Sequence, residues 1–292
     1  MIIMRLSGGL GNQMFQYALG RRLAVKNRTS LWLDLGFYDV AWADATPRHY
    51  ALGAFCVKQR LVTIQDGKMA VKSLPPRLQK HLSAKPGWPG PIVSINEQGT
   101  GFNPQVMAAT GNVCLNGYWQ TEKYFADVAD IVRADFALAA PMTPQRQALA
   151  AHIRAANAVS LHVRRTDFLT NPAANAVHGT CSPEWYGEAI ARMNQLVAAP
   201  RYVVFADDPA WARAALPVPQ DTMFVDPQPD GRDCEDMHLM AACRHHITAN
   251  SSFSWWGAWL NPAPGKQVIA PARWVLTEDD QRDRIPDGWI RL

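Results

Sequence analysis

The chain lacks any apolar run of the roughly 18 residues that would cross a bilayer, so no transmembrane span is expected. It also lacks a secretory leader pattern. MIIM is too short for an apolar signal core and RLSGGLG interrupts it at once, which predicts a cytoplasmic protein, with peripheral attachment at the inner face of the membrane left open. Cysteine is sparse. Cys56, Cys114, Cys181, Cys234 and Cys243 are odd in number and form no Cys-x-x-Cys pair, which fits buried free thiols in a reducing compartment and speaks against zinc. Charge of either sign is thin and scattered. Lys and Arg total 29 against 25 Asp and Glu, and the net +4 favours a small anionic ligand without the clustered basic face a nucleic-acid binder needs. Internal repeats and a low-complexity tail are also missing.

The sequence does contain apolar material for a full core: 48% of the 292 residues are hydrophobic, enough for one large domain or two of ordinary size. Several of the tryptophans sit in NSSFSWWGAW, where small residues interleave with them and core packing is expected. MIIMRL reads as a first strand, GGLGN as a tight Gly-rich loop, and QMFQYALGRRLAVKN as a helix with apolar residues at four-residue spacing and cations near its end. SLWLDL, residues 30 to 35, supplies the next strand, which makes the opening of an α/β unit. Residues 73 to 104 concentrate Pro and Gly and read as long loops. NVCLNGYWQTEKYF returns to a strand.

TPQRQALAAHIRAAN, residues 143 to 157, predicts a helix, and AVSLHV begins a second α/β unit. SPEWYGEAIARMNQLVA is a helix opened by Ser182 with Pro183 in its first turn. RYVVF, the helical DCEDMHLMAACRH, HITAN and QVIAP continue the alternation. Open α/β sheets bind ligands past the carboxyl ends of their strands, so two such halves predict a ligand in the cleft between them. Four polar clusters fall just there: GGLGN after the first strand, HVRRTD after the strand starting at Val159, Asp207 and Asp208 after RYVVF, and Asn250 to Ser252 after HIT.

Each cluster also has a plainer reading. GGLGN fits simple turn geometry as well as phosphate contact. Arg164 and Arg165 fit an exposed ion pair with Asp167, or one arginine facing the cleft while its neighbour anchors the loop, since adjacent strand residues point to opposite faces. Guanidinium groups match a diphosphate bidentately. His162 fits a satisfied core histidine, Asp207 and Asp208 fit caps of a helix starting near Pro209, and Asp236 fits an exposed helical charge or a carboxylate reaching a base edge or ribose hydroxyl. Ser251 and Ser252 fit N-caps of FSWWGAW, which would still aim backbone N–H groups at an anion. Asp-x-Asp occurs nowhere. That pairing commonly holds a divalent ion on the diphosphate in metal-dependent sugar-nucleotide enzymes, so arginine would have to supply the charge.

The stretches GGLGNQMFQYALGRRLA, GYWQTEKYF, HVRRTDF and DMHLMAACRHHITANSSFSWWGAWLNP resemble the α-1,2-fucosyltransferases, over residues 4 to about 274. The resemblance implies an α/β fold of GT-B architecture, two Rossmann-like domains facing across a cleft. Residues 1–150 would form the acceptor side with the Gly-rich loop and residues 151–292 would bind GDP-fucose. The implied reaction is an inverting transfer of L-fucose from GDP-β-L-fucose to the 2-hydroxyl of a terminal β-galactoside, with neither metal nor other cofactor. The implied partners are GDP-fucose and a galactose-terminated oligosaccharide or lipid-linked glycan, and no nucleic acid. By the same resemblance Arg164 contacts the β-phosphate, His162 lies beside the nucleotide, Asp236 reads guanine, and Ser251 and Ser252 face ribose or phosphate. Gly9, Gly11, Asn12 and Gln13 would approach the diphosphate and fucose. Arg165, Asp207, Asp208, Asn250 and Phe253 complete the expected substrate-binding set. Asp167 is the nearest carboxylate for a general base, with Glu184 and His178 as rivals.

Three alternatives stand beside this reading: a fucosyltransferase of different regiochemistry, a noncatalytic module binding a GDP-sugar or glycan, and a basic nucleic-acid binder. The last suits the scattered charge poorly.

Overall fold

The computed structural model describes residues 1–40, 47–65, 68–71, 91–166, 171–228, 232–277 and 281–292. The chain divides into two compact units, Met1–Ala139 and Ala140–Leu292. The sequence reading put the division at residue 150. Helix Pro144–Ala155 explains the difference, because its Ala150 and Ile153 are buried in a core shared with Ala158, Val203, Leu239 and Met240 of the second unit.

In the first unit the elements are β1 (Ile2–Arg5), α1 (Leu10–Lys26), β2 (Leu31–Asp34), β3 (Arg60–Gln65), β4 (Lys68–Val71), β5 (Val93–Asn96), β6 (Val113–Asn116) and α2 (Ala129–Asp135). The sheet order is β4-β3-β2-β1-β6-β5, parallel except for the β3–β4 pair. Ile2, Ile3 and Met4 of β1 are fully buried, as a central strand covered on both faces requires. α1 starts at Leu10, so Gly11 and Asn12 belong to its first turn and not to the loop expected for GGLGN. β5 corrects the expectation of loops throughout 73–104. VSIN pairs in parallel with β6 at the sheet edge, and Val93 stays exposed there, so burial left little apolar signal to read. The rest of that expectation, over residues 73–90, lies outside the described residues.

The second unit contains α3 (Pro144–Ala155), β7 (Ala158–Val163), α4 (Pro172–His178), α5 (Pro183–Leu196), β8 (Arg201–Ala206), α6 (Pro209–Ala215), β9 (Met223–Val225), α7 (Asp233–Ala242), β10 (His245–Ile247), α8 (Ser252–Leu260), β11 (Val268–Ala270) and β12 (Ile290–Arg291). Its sheet is wholly parallel, in the order β12-β11-β10-β7-β8-β9. Local chemistry sets the helix starts. Thr143 and Ser182 accept hydrogen bonds from Arg146 N and Trp185 N, and a proline follows each cap where its missing N–H costs nothing. α4 is a short helix with no apolar stripe in its sequence to announce it.

Every residue of β7 is buried and the two faces are distinct. Val159, Leu161 and Val163 pack with Tyr186, Ala189, Ile190 and Met193 of α5, whereas Ala158 packs toward α3 and α7 on the opposite face. The tryptophans of α8 are core, as expected: Trp255, Trp256 and Trp259 are buried, with Trp255 and Trp259 stacked at 6.1 Å. Burying one such ring removes on the order of 200 Å² from water, an upper bound of about 5 kcal/mol. Gly257 lets α8 approach α7, since a Cβ there would sit 2.9 Å from Met240 Cβ. The five cysteines are free; Cys114 and Cys243 are buried as expected, while Cys56 is exposed. Among the described residues no helix is long and apolar enough to cross a membrane.

Candidate functional site

Strand order decides where polar side chains gather. From one edge the second sheet runs β9-β8-β7 and then jumps to β10-β11-β12, so the direction of winding reverses between β7 and β10. Crossover connections leave that point open at the carboxyl edge, and ligands of doubly wound sheets bind there. The carboxyl end of β7 leads into Arg164 and Arg165; that of β10 leads into Asn250, Ser251 and Ser252. In the first sheet the reversal falls between β1 and β6, whose carboxyl ends lead into Gly8–Asn12 and Gly117–Gln120. The strand ends that carry the Gly-rich turn, the arginine pair and the Asn250–Ser252 cluster therefore lie at switch points.

At the end of β7 the two arginines part company. The Arg165 guanidinium stacks on the Trp211 ring of α6, 3.9 Å from its centroid. Its backbone N–H donates to both carboxylate oxygens of Asp207 at 2.9 and 3.1 Å, and Thr166 N donates to the same group at 3.0 Å. Arg164 sends its Nε toward Asp207 at 3.5 Å and keeps 27% of its side chain exposed, so it is reachable from solvent. Asp207 is thus the bracket that shapes this loop. Asp208 caps α6, accepting from Trp211 N at 3.0 Å, which is the plain reading of that residue.

His162 is 94% buried on the β7 face shared with Ala158, its ring 5.8 Å from Phe253 in the first turn of α8. Burial, with the Arg164 cation adding to it, pushes its pKa down to about 3. Its carbonyl accepts from Tyr186 Oη, but its Nδ1 has no partner in the structure. A neutral ring with one unmet nitrogen lies directly under the arginine loop.

Beyond β10, Asn250 is committed to structure. Its Nδ2 donates to His178 O at 2.9 Å and faces the carbonyls of Gly179 and Trp274, tying the end of α4 to a later segment. Ser251 occupies the cap position of α8 without making a side-chain cap bond. Ser251 and Ser252 are both partly exposed at that helix start, where unpaired backbone N–H groups concentrate positive potential. Of the proposed bases, Asp167 lies outside the described residues. Glu184 is exposed in the first turn of α5, its pKa lowered by a hydrogen bond from Ser182, and His178 ends α4.

Asp236 sits on α7 past the carboxyl end of β9. It is paired with Arg146 of α3, a side chain 5% exposed that the sequence reading passed over. Burial pushes the Asp236 pKa up to about 6 against the opposing pull of Arg146.

In the first unit Gln13 faces inward. Its amide donates to Gly8 O and His49 O and accepts from Ala51 N, so its polar atoms go to the backbone. Asn12 accepts from Gln120 Nε2 at 2.8 Å, which joins the Gly-rich turn to the GYWQ stretch across the switch point. Gly8 has φ +71, a left-handed turn that glycine adopts freely. Gly9 lies beside the Arg48 guanidinium, about 3.7 Å from where its Cβ would be. Arg48, Gln120 and Tyr38, whose hydroxyl donates to Gly8 O, were missed by the sequence reading. Only the position of Gln120 within GYWQTEKYF offered a signal.

The family model described as Glycosyl transferase family 11 matches residues 102–290. An α-1,2-colitosyltransferase of Escherichia coli is 32% identical, covering 100% of this chain and 98% of that protein. The O-antigen biosynthesis glycosyltransferase WbnK of Escherichia coli is 30% identical, covering 98% and 99%. Among solved structures, the fucosyltransferase NodZ from Bradyrhizobium superposes with a TM-score of 0.52 at 14% identity, covering 88% of this chain and 91% of that one. This last likeness shows the fold, an α/β GT-B architecture of two Rossmann-like domains.

Proposed function

The chain belongs to glycosyl transferase family 11, and from that premise we propose that it moves L-fucose from GDP-β-L-fucose to the 2-hydroxyl of a terminal β-galactoside, with inversion and without a metal ion. The observation that carries the reading is the division of labour between the two arginines at the β7–β10 switch point. Arg165 is stacked on Trp211 and bracketed by Asp207, while Arg164 remains partly exposed, and α8, which follows the neighbouring strand β10, starts without a side-chain cap bond.

Breaking the bond between fucose and GDP puts added negative charge on the β-phosphate and positive charge on the sugar. A fixed guanidinium then gains most in the transition state, where that charge develops, and this is what accelerates the step. Arg164 takes that role. The amides opening α8 and the hydroxyls of Ser251 and Ser252 serve the phosphates and ribose, and neutral His162 offers its unmet nitrogen to the nucleotide. Asp236 accepts from guanine. Gly9, Gly11 and Asn12 serve the diphosphate and fucose; Asp207, Asp208, Asn250 and Gln13 act through structure. The attacking hydroxyl comes from the opposite face of the sugar and gives its proton to Asp167 or to water.

A second reading changes the sugar alone. The 32% identical relative is an α-1,2-colitosyltransferase, so a colitosyl donor stands beside the fucosyl one. The deciding experiment incubates the protein with GDP-fucose or GDP-colitose and a panel of free and lipid-linked β-galactosides, with EDTA present, and reads the linkage by NMR. A 1,2-linked fucosyl product supports the proposal. A product only from GDP-colitose, a different linkage, or turnover abolished by EDTA overturns the corresponding part of it.

A further inference from the structure

The buried arginine of α3 has no place in the mechanism above, yet its hydrogen bonds converge on the group assigned to guanine. Arg146 Nη1 donates to Asp236 Oδ1, and Arg146 Nη2 donates to Asp226 O at 2.9 Å. With the Gln228 amide turned so that its oxygen faces the guanidinium, that oxygen accepts from Arg146 Nε and Nη2 at 2.6 Å each. One planar fork therefore clamps α7, 90 residues away along the chain, and the segment leaving the carboxyl end of β9, 80 residues away. Such an arrangement suits Arg better than Lys, because only the guanidinium reaches several acceptors in one rigid plane. Asp236 keeps 17% of its side chain exposed against 5% for Arg146. The carboxylate is held from behind and open in front.

We propose that Arg146 is a positioning residue for donor-base selection, fixing the Asp236 carboxylate in its ionised form so that it accepts the N1–H and 2-amino group of the donor's guanine. This rests on the reading of Asp236 as the guanine-facing group. A carboxylate has lone pairs for two such donors after one oxygen has accepted from the arginine. Protonation removes that capacity. Burial favours the protonated form, the neighbouring Asp233 and Glu235 of the same helix push the same way, and Arg146 opposes them all. Arg232 contacts Glu235, and Asp226 pairs with Arg213. Among the described residues Arg146 is the cation that opposes Asp233 and Glu235 at Asp236.

The test measures GDP and IDP affinity by calorimetry between about pH 5 and pH 8 for the wild type, Arg146→Lys, Arg146→Met and Asp236→Asn, with thermal melts alongside. IDP lacks the 2-amino group. Wild-type GDP affinity is expected to fall as pH drops through about 6, and Asp236→Asn is expected to remove that limb, whereas titration of the GDP phosphate itself persists in both. Arg146→Met is expected to move the limb upward in pH and to cut the GDP-over-IDP preference about tenfold at neutral pH. Arg146→Lys keeps the charge and is expected to restore the limb while leaving part of the preference lost. If Arg146→Met keeps the wild-type midpoint and preference while Asp236→Asn loses both, the role of Arg146 is overturned and that of Asp236 stands. Unchanged binding in Asp236→Asn overturns the guanine reading and this inference with it. Should Arg146→Met fail to fold, a wild type without a limb near 6, or a lysine variant with full preference, also overturns the proposal.

Discussion

The Arg165 guanidinium lies 3.9 Å above the ring of Trp211, on a helix that begins two residues beyond the aspartate holding its own backbone N–H. Strand alternation alone gave two arginines on opposite sides; this stacking says which guanidinium packs on the fold, while the other stays partly exposed. Arg164→Ala is therefore expected to cut kcat by about a hundredfold or more, the usual loss for a preorganised donor at a developing oxyanion, with little change in melting temperature. Arg165→Ala is expected to lower stability by about 1 kcal/mol, the worth of a partly desolvated cation–π contact. Steady-state kinetics and thermal melts of both variants check the assignment, and the opposite pattern would exchange the two roles.

Asp207 and Asp208 are adjacent, yet their removal has different consequences. Asp207→Ala strands the N–H groups of Arg165 and Thr166, at about 1 to 3 kcal/mol for each that water does not reach, and it releases the loop presenting Arg164. Donor turnover is expected to collapse. Asp208→Ala loses one helix cap, worth about 1 kcal/mol, and is expected to keep turnover per folded molecule. Activity normalised to the folded fraction, measured by circular dichroism, separates the two.

His162 carries a pH dependence whose sign follows from its depressed pKa. An ordinary imidazole titrates near 6.5, and this one is held at about 3 by burial and then by Arg164. Between those values the unfolded chain binds a proton that the folded one refuses, so stability falls as pH drops, by about 1.4 kcal/mol per pH unit for each such group. His246 is lowered in the same direction by burial, with Lys266 and His245 adding to it. Urea titrations from about pH 7 to pH 4 are expected to show a steep acid limb. His162→Gln should flatten it by one proton's slope, and an unchanged slope would mean that His162 protonates in the fold.

Much of this site could be read from the chain because its residues sit where strands end. β1, β7, β8 and β10 announce themselves as short apolar runs, and each is followed by polar residues with no packing reason to be there. Asp208 was legible as a cap because Pro209 follows it. Asp207 was not, since its partners come from a loop 41 and 42 residues earlier. Arg146 was less legible still. An arginine near the start of an amphipathic helix reads as surface charge, and only the arrival of Asp226, Gln228 and Asp236 buries it. β3 escaped notice although Val62, Thr63 and Ile64 offer β-branched side chains, and the edge strand β5 has too little buried surface to leave a pattern. Asn250 and Gln13 mislead in the other direction: polar residues inside a motif, they spend their amides on backbone groups.

Gly257 sits inside the apolar α8, facing Met240 of α7. An added methyl would meet Met240 Cβ at 2.9 Å and Sδ at 3.0 Å; the sulfur can swing aside but the Cβ cannot. Gly257→Ala is expected to cost about 1 to 3 kcal/mol through overpacking, offset in part by better helix propensity. Because α7 carries Asp236 and α8 begins at Ser252, donor affinity should weaken with stability, and Met240→Gly in the same chain, which removes the opposing Cβ, should recover donor affinity. Chemical denaturation and GDP calorimetry on the single and double variants test the coupling.

Gly8 bears on the first unit in the same way, through a backbone conformation as well as a contact. At φ +71 an alanine pays about 1 kcal/mol or more of strain, and its Cβ would stand 2.6 Å from Asn12 Nδ2. The Asn12 amide must then turn, which breaks its hydrogen bond with Gln120. Gly8→Ala and Gln120→Ala should therefore share a phenotype if the Gly-rich turn acts through Asn12: a lower kcat with GDP affinity nearly intact, the outcome expected on the proposal that the second unit binds the nucleotide. Gly8→Ala carries the added strain and should also melt earlier. Kinetics that differ between the two variants, with loss confined to Gly8→Ala, would trace the effect to backbone strain and release Asn12 from any part in catalysis.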